Sequence, residues 1–160
     1  MKSSVLAAAF LSVATLGLAA CGDSASEQPA EAPEGVPGMT ITNARMVLAP
    51  VEGNPAAVYF DLAYDGDRSV ALNRAHVEGA ESATLHEYAE WNRQMQMAEM
   101  LPLVLKKGDK IAFEPGGKHV MAMNVSPELQ PGGTTEVTLT VSGGDKTTFE
   151  APIQGPGEER

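Results

Sequence analysis

Cysteine is nearly missing from this 160-residue chain, with Cys21 the only one. No intramolecular disulfide can form, and no second thiol exists for a Cys-x-x-Cys metal or redox site. A blue-copper electron-transfer centre, which normally needs a Cys thiolate within its domain, is not expected either. Positive charge is also scarce: 11 Lys and Arg stand against 21 Asp and Glu, a formal net charge of −10. That balance argues against binding nucleic acid or an anionic surface by charge. It would suit a cationic patch on a partner, although diffuse negative charge commonly serves only solubility. No long amphipathic helical pattern occurs, no nucleophile is paired with a general base, and no Gly-rich loop precedes a helix to cradle phosphate. Gly116-Gly117 and Gly132-Gly133 read as turns, so an enzyme is not expected.

The chain opens with a secretory pattern. Lys2 supplies the positive end, Val5 to Ala20 is apolar, and small residues lead to Cys21. The apolar stretch is shorter than the roughly 20 residues a bilayer-spanning helix needs. Leu18-Ala19-Ala20-Cys21 is similar to a bacterial lipobox, which implies cleavage before Cys21 and lipidation of that residue; an ordinary signal cut near the same site is the alternative. The expected organisation is a signal peptide over 1–20, a lipidated Cys21 with a flexible linker over 21–38, one domain over 39–154 and a disordered tail over 155–160. The linker is rich in Ala, Glu, Pro and Ser and has too few large apolar side chains to offset its ordering entropy. A chain of this length holds one core.

The remainder alternates like short strands divided by turns. Met39 to Val47 is one; Ala56 to Tyr64 alternates Val58, Phe60 and Leu62 against Tyr59, Asp61 and Ala63 before the turn signal Asp65-Gly66. Ser69 to Val77, Ala83 to Tyr88, Leu103 to Leu105, Ile111 to Glu114, Val120 to Val125, Glu136 to Ser142 and Thr147 to Ile153 follow. Residues 88–100 are ambiguous, because Tyr88-Ala89-Glu90-Trp91 suits a helical turn as well. Many short strands without a long helix predict an all-β, antiparallel sandwich or barrel.

The chemistry concentrates in His119-Val120-Met121-Ala122-Met123, introduced by Pro115-Gly116-Gly117. On a strand, His119, Met121 and Met123 share one face, with alternate residues roughly 6.5 Å apart along the backbone. Taken alone, two methionines on a strand are ordinary core filler and one histidine is an ordinary structural residue. A second pair changes that reading. From His86 there are ten intervening residues to Met97, then twenty-one to His119, then one to Met121.

This spacing, together with the segment Pro115-Gly116-Gly117-Lys118-His119-Val120-Met121-Ala122-Met123, resembles the signature of the PCu(A)C periplasmic copper-chaperone family from about Met39 to Ile153. Tyr88 departs from it, standing where many members have a Met after His-Glu. The resemblance implies a cupredoxin-like β-sandwich and a Cu(I) site of His86, Met97, His119 and Met121. It further implies a monomeric, periplasmic, membrane-tethered carrier with no nucleic-acid role. Its partners would be a copper-accepting oxidase subunit, such as the one carrying the CuA centre of cytochrome c oxidase, or a thioredoxin-like assembly factor. The donor chemistry agrees, since thioether and imidazole suit Cu(I), Mg²⁺ and Ca²⁺ want hard oxygen, and Zn²⁺ prefers Cys, His and carboxylate. Such a site should hold copper until the histidines protonate, near an unperturbed pKa of about 6.5. Two alternatives stay open: a copper-buffering or resistance lipoprotein without a dedicated acceptor, and a metal-free β-sandwich interaction module.

Outside the four, Met95 and Met123 fit either an outer sulfur or packing, His76 reads as ordinary, and Met46 and Met100 read as core. Trp91 is either a shield over the site, with cation–π attraction to the metal, or an exposed loop residue.

Overall fold

Alternation in Val58, Phe60 and Leu62 requires one buried and one outward face, and the computed structural model places all three side chains in the core. It describes residues 35–158, so the signal segment, Cys21 and most of the expected linker lie outside the described residues. All described residues belong to one unit, Ala32–Arg160.

Ten strands account for the regular structure: β1 Met39–Val47, β2 Ala56–Tyr64, β3 Val70–Val77, β4 Ala80–Trp91, β5 Gln94–Glu99, β6 Leu103–Leu105, β7 Asp109–Phe113, β8 Lys118–Val125, β9 Thr134–Val141 and β10 Lys146–Gln154. No helix occurs among the described residues. Their hydrogen-bonded order is β5-β4-β8-β7-β2-β1-β10-β9-β3-β6. The two halves of this order enclose one hydrophobic cluster. Val58, Phe60, Leu85, Phe113 and Val120 of the first half join Leu72, Val77, Val137, Leu139 and Ile153 of the second. Phe60 stacks on Phe113 at 4.3 Å between centroids and meets Phe149 from the other half at 5.3 Å.

The expected sandwich is present, with two refinements. β1 and β10 run parallel where the halves join, through Met46–Ile153 and Val47–Gln154, and β7 meets β8 at one parallel pair, Phe113–Lys118. Ordered structure also begins before Met39: Val36 is buried in the core and its N–H donates to Thr147 Oγ1 at 2.8 Å. At Gly38 a β-carbon would lie 2.3 Å from the backbone nitrogen of Gly66, so only glycine fits there. At the other end, residues 155–158 close a turn in which the Gly155 N–H donates to the Glu158 carboxylate at 2.6 Å.

The ambiguous residues 88–100 form neither helix nor loop. They complete the β4–β5 hairpin, whose residues from Tyr88 to Glu99 are exposed wherever their side chains are described. The Trp91 side chain, expected either as a shield over the site or as an exposed loop residue, lies outside the described residues. The hairpin turns at Asn92 and Arg93, both with positive φ (52° and 63°), between the paired Trp91 and Gln94. A two-residue turn of this kind is type I′, which favours Asn-Gly. Arginine in the left-handed region costs about 1–2 kcal/mol, partly offset by glycine's greater chain entropy. Arg93→Gly should therefore stabilise the hairpin by about 0.5–1 kcal/mol, read as slower amide exchange across 88–99. Faster exchange would contradict the turn assignment.

Candidate metal centre

β7 and β8 both run antiparallel to β2, β7 along Phe60 to Tyr64 and β8 along Ala56 to Val58. Between them the chain turns through Glu114 to Gly117, closed by the Gly117 N–H donating to the Glu114 carbonyl at 3.0 Å, with Gly116 at φ +77°. The offset carries β8 outward to pair with β4, and His119 lies just past the turn. Val120 and Ala122 point into the core, leaving His119, Met121 and Met123 on the opposite face as the alternation predicted.

The β4–β8 register sets His86 directly opposite His119 and Thr84 opposite Met121. The imidazoles lie edge to face with centroids 6.0 Å apart. On the other side of β4, β5 places Glu99 opposite His86 and Met97 opposite Tyr88. Because directly paired residues share a face, all four predicted residues project from the same side of the β5-β4-β8 edge. His86 and His119 face each other, and Met121 sits diagonally beside His86. Met97 stands farthest out, one strand beyond His86, level with Tyr88, and 44% exposed. Just past the pair, Lys118 Nζ and Glu87 form a 2.7 Å ion pair that ties β8 to β4.

The ring nitrogens are differently engaged. His119 is 4% exposed, and its Nδ1–H donates to the Gly117 carbonyl at 3.2 Å, so its Nε2 carries the lone pair. Nδ1 of His86 is buried with no hydrogen-bond partner among the described residues, while its Nε2 lies 3.5 Å from Thr84 Oγ1, the outer limit of a hydrogen bond. A buried imidazole nitrogen with no partner among the described residues, on a ring set edge to face with a second imidazole, is an arrangement a cation would complete. No three His, Cys, Asp or Glu side chains converge among the described residues, so a hard metal has no oxygen-rich cage here.

Burial, and then the neighbouring His119, hold the His86 pKa below its ordinary 6.5, with Glu99 pulling the other way. A base depressed in the folded state adds stability above the unfolded value and loses it as pH falls below that value, because the unfolded chain takes the proton first. The metal-free protein should accordingly lose denaturant resistance between pH 7.5 and pH 5. His86→Asn should shrink that difference; an identical pH dependence in the variant would contradict it.

Sequence reasoning missed several neighbours. Tyr59 of β2 packs against His119 at 6.3 Å and carries the Arg45 guanidinium over its ring at 5.1 Å. Tyr88 lies 5.8 Å from His119 on a further side. Glu99 is set opposite His86 by the two-residue turn at Asn92-Arg93, which carries no glycine to mark it in the sequence; the aromatic cover needed the offset between β7 and β8. Met123 is half-buried opposite Ser82, and Met95 is exposed on the hairpin. Met46 is core and Met100 packs against it, as expected, whereas His76 is exposed on β3, in the other half of the sandwich.

The fold is the cupredoxin-like one of solved PCuAC domains. The apo PCuAC domain from PmoF1 is 25% identical, with a TM-score of 0.61, over 76% of this chain and 97% of that one. The copper-bound PCuAC domain from PmoF2 gives 22%, 0.61, 76% and 97%. The Cu(I) form of DR1885 from Deinococcus radiodurans gives 23%, 0.57, 80% and 85%. Within that fold the chain belongs to the LpqE-like family, described as "Putative lipoprotein LpqE-like", whose model matches residues 39–153. Comparison with curated protein sequences gave no match.

Proposed function

We propose that the protein is an extracytoplasmic copper carrier that holds one Cu(I) through His86, Met97, His119 and Met121. The observation carrying this reading is the facing imidazole pair, in which His86 Nδ1 is buried without a partner among the described residues and His119 is held through Nδ1 by the Gly117 carbonyl. Two neutral nitrogens and soft thioethers favour Cu(I) over Mg²⁺, Ca²⁺ or Zn²⁺. Neutral ligands leave the cation's charge uncompensated, which keeps it releasable, as a carrier requires. The copper-bound PCuAC domain from PmoF2 and the Cu(I) form of DR1885 support the same cargo.

The LpqE-like match supports a lipoprotein, with Cys21 as the lipidated residue and the cell-envelope membrane as the site of action. Delivery to respiratory oxidase assembly, at the CuA centre or through a thioredoxin-like factor, completes the proposal. Deleting the protein should lower cytochrome c oxidase activity, and added copper should restore it. Copper sensitivity with normal oxidase activity would favour buffering instead.

A further inference from the structure

Three rings pack against His119, and they differ in what covers them. Tyr59 and His86 are half-buried, whereas Tyr88 is 42% exposed on the hairpin, yet His119 beneath it is almost sealed from solvent. Tyr88 is held in place from below: its backbone N–H donates to the Gly117 carbonyl at 3.3 Å, the same carbonyl that accepts from His119 Nδ1. One oxygen thus fixes both the imidazole and the strand position of the ring above it. Tyr88 also faces Met97 across β4 and β5.

We propose that the Tyr88 ring is a cover over His119 that keeps water and dioxygen off that side of the site and thereby holds its cargo as Cu(I). The copper half of this inference rests on the carrier reading above; the cover itself does not. Cu(I) tolerates few ligands and an apolar wall, whereas Cu(II) gains from added water and harder donors. Oxidation transfers one electron from Cu(I) to dioxygen, giving Cu(II) and superoxide, and dioxygen must approach the ion for that to happen. A ring excluding solvent from His119 slows this step without donating an atom to the metal. The hydroxyl is not required, so phenylalanine should serve equally well.

The test uses the full chain and its Tyr88→Phe and Tyr88→Ala variants. Without metal, carbethoxylation of His119 by diethyl pyrocarbonate, followed by mass spectrometry, should be several-fold faster in Tyr88→Ala and unchanged in Tyr88→Phe. Exposed His76 serves as the internal standard. After anaerobic Cu(I) loading, exposure to air should raise the Cu(II) electron paramagnetic resonance signal several-fold faster in Tyr88→Ala only, while anaerobic Cu(I) affinity changes little. Equal rates in Tyr88→Ala and the unsubstituted chain would overturn the proposal, as would Tyr88→Phe behaving like Tyr88→Ala. If the unsubstituted chain holds no Cu(I), the carrier reading falls and the redox half falls with it, while the carbethoxylation rates still decide whether Tyr88 is the cover.

Discussion

His119→Ala should weaken Cu(I) binding by the full chain at least about 100-fold, because loss of an outer-shell partner alone typically costs 10–100-fold and this change removes a proposed ligand itself. The substitution also frees the Gly117 carbonyl and strips the ring that Tyr59, Tyr88 and His86 pack against. Its effect should exceed that of Met97→Ala, whose sulfur stands at the exposed rim of the hairpin. Met121→Ala should fall between the two, since Met121 is half-buried diagonally beside His86. His76→Ala is the control and should leave affinity unchanged, lying in the other half of the sandwich. Competition against a Cu(I) chelator under anaerobic conditions measures all four. Unchanged affinity in both His119→Ala and Met121→Ala would remove the ligand assignment.

Phe60→Ala should cost about 3–5 kcal/mol of folding stability, the range for truncating a buried aromatic side chain. Phe60 is 1% exposed, stacks on Phe113 from β7 and meets Phe149 across the sandwich, so the vacated volume is walled by both halves and cannot readily collapse. Against a typical total of about 5–15 kcal/mol, this loss is a large fraction of what holds the domain together. Copper binding should weaken in parallel, because β2 carries Tyr59 and supports β8 through Ala56 to Val58. Urea unfolding of the two proteins gives the difference. A loss below about 1 kcal/mol would show that the core is not centred on this stack.

Why these elements were legible differs from one to the next. β2 matches its expected limits, Ala56–Tyr64, because a face that must be buried writes itself into period-two alternation, and β1 matches Met39–Val47 although a bulge between Thr42 and Arg45 breaks its alternation. β4 was expected only from Ala83 to Tyr88, whereas it runs from Ala80 to Trp91. Its outer half is exposed along with β5, so burial imposed no alternation there. The hairpin turn also lacks the glycine that marks such turns, since Asn92-Arg93 adopts the conformation Asn-Gly would favour.

The four predicted site residues could be singled out because their spacing resembles a known signature and their side chains share a soft-donor chemistry. Their common face follows from strand register, which the spacing alone does not determine. The cover over His119 was out of reach for another reason. Tyr59 and Tyr88 reach it from strands paired with β8 on either side, and only the offset at Pro115-Gly116-Gly117 brings all three rings together.

Copper X-ray absorption of the Cu(I)-loaded full chain tests the carrier most directly. The ligand set of His86, His119, Met97 and Met121 predicts a mixed first shell of imidazole nitrogen and thioether sulfur, with the imidazole contribution reduced in His119→Ala. A first shell of oxygen and nitrogen without sulfur, or a spectrum unaltered in His119→Ala, would contradict it.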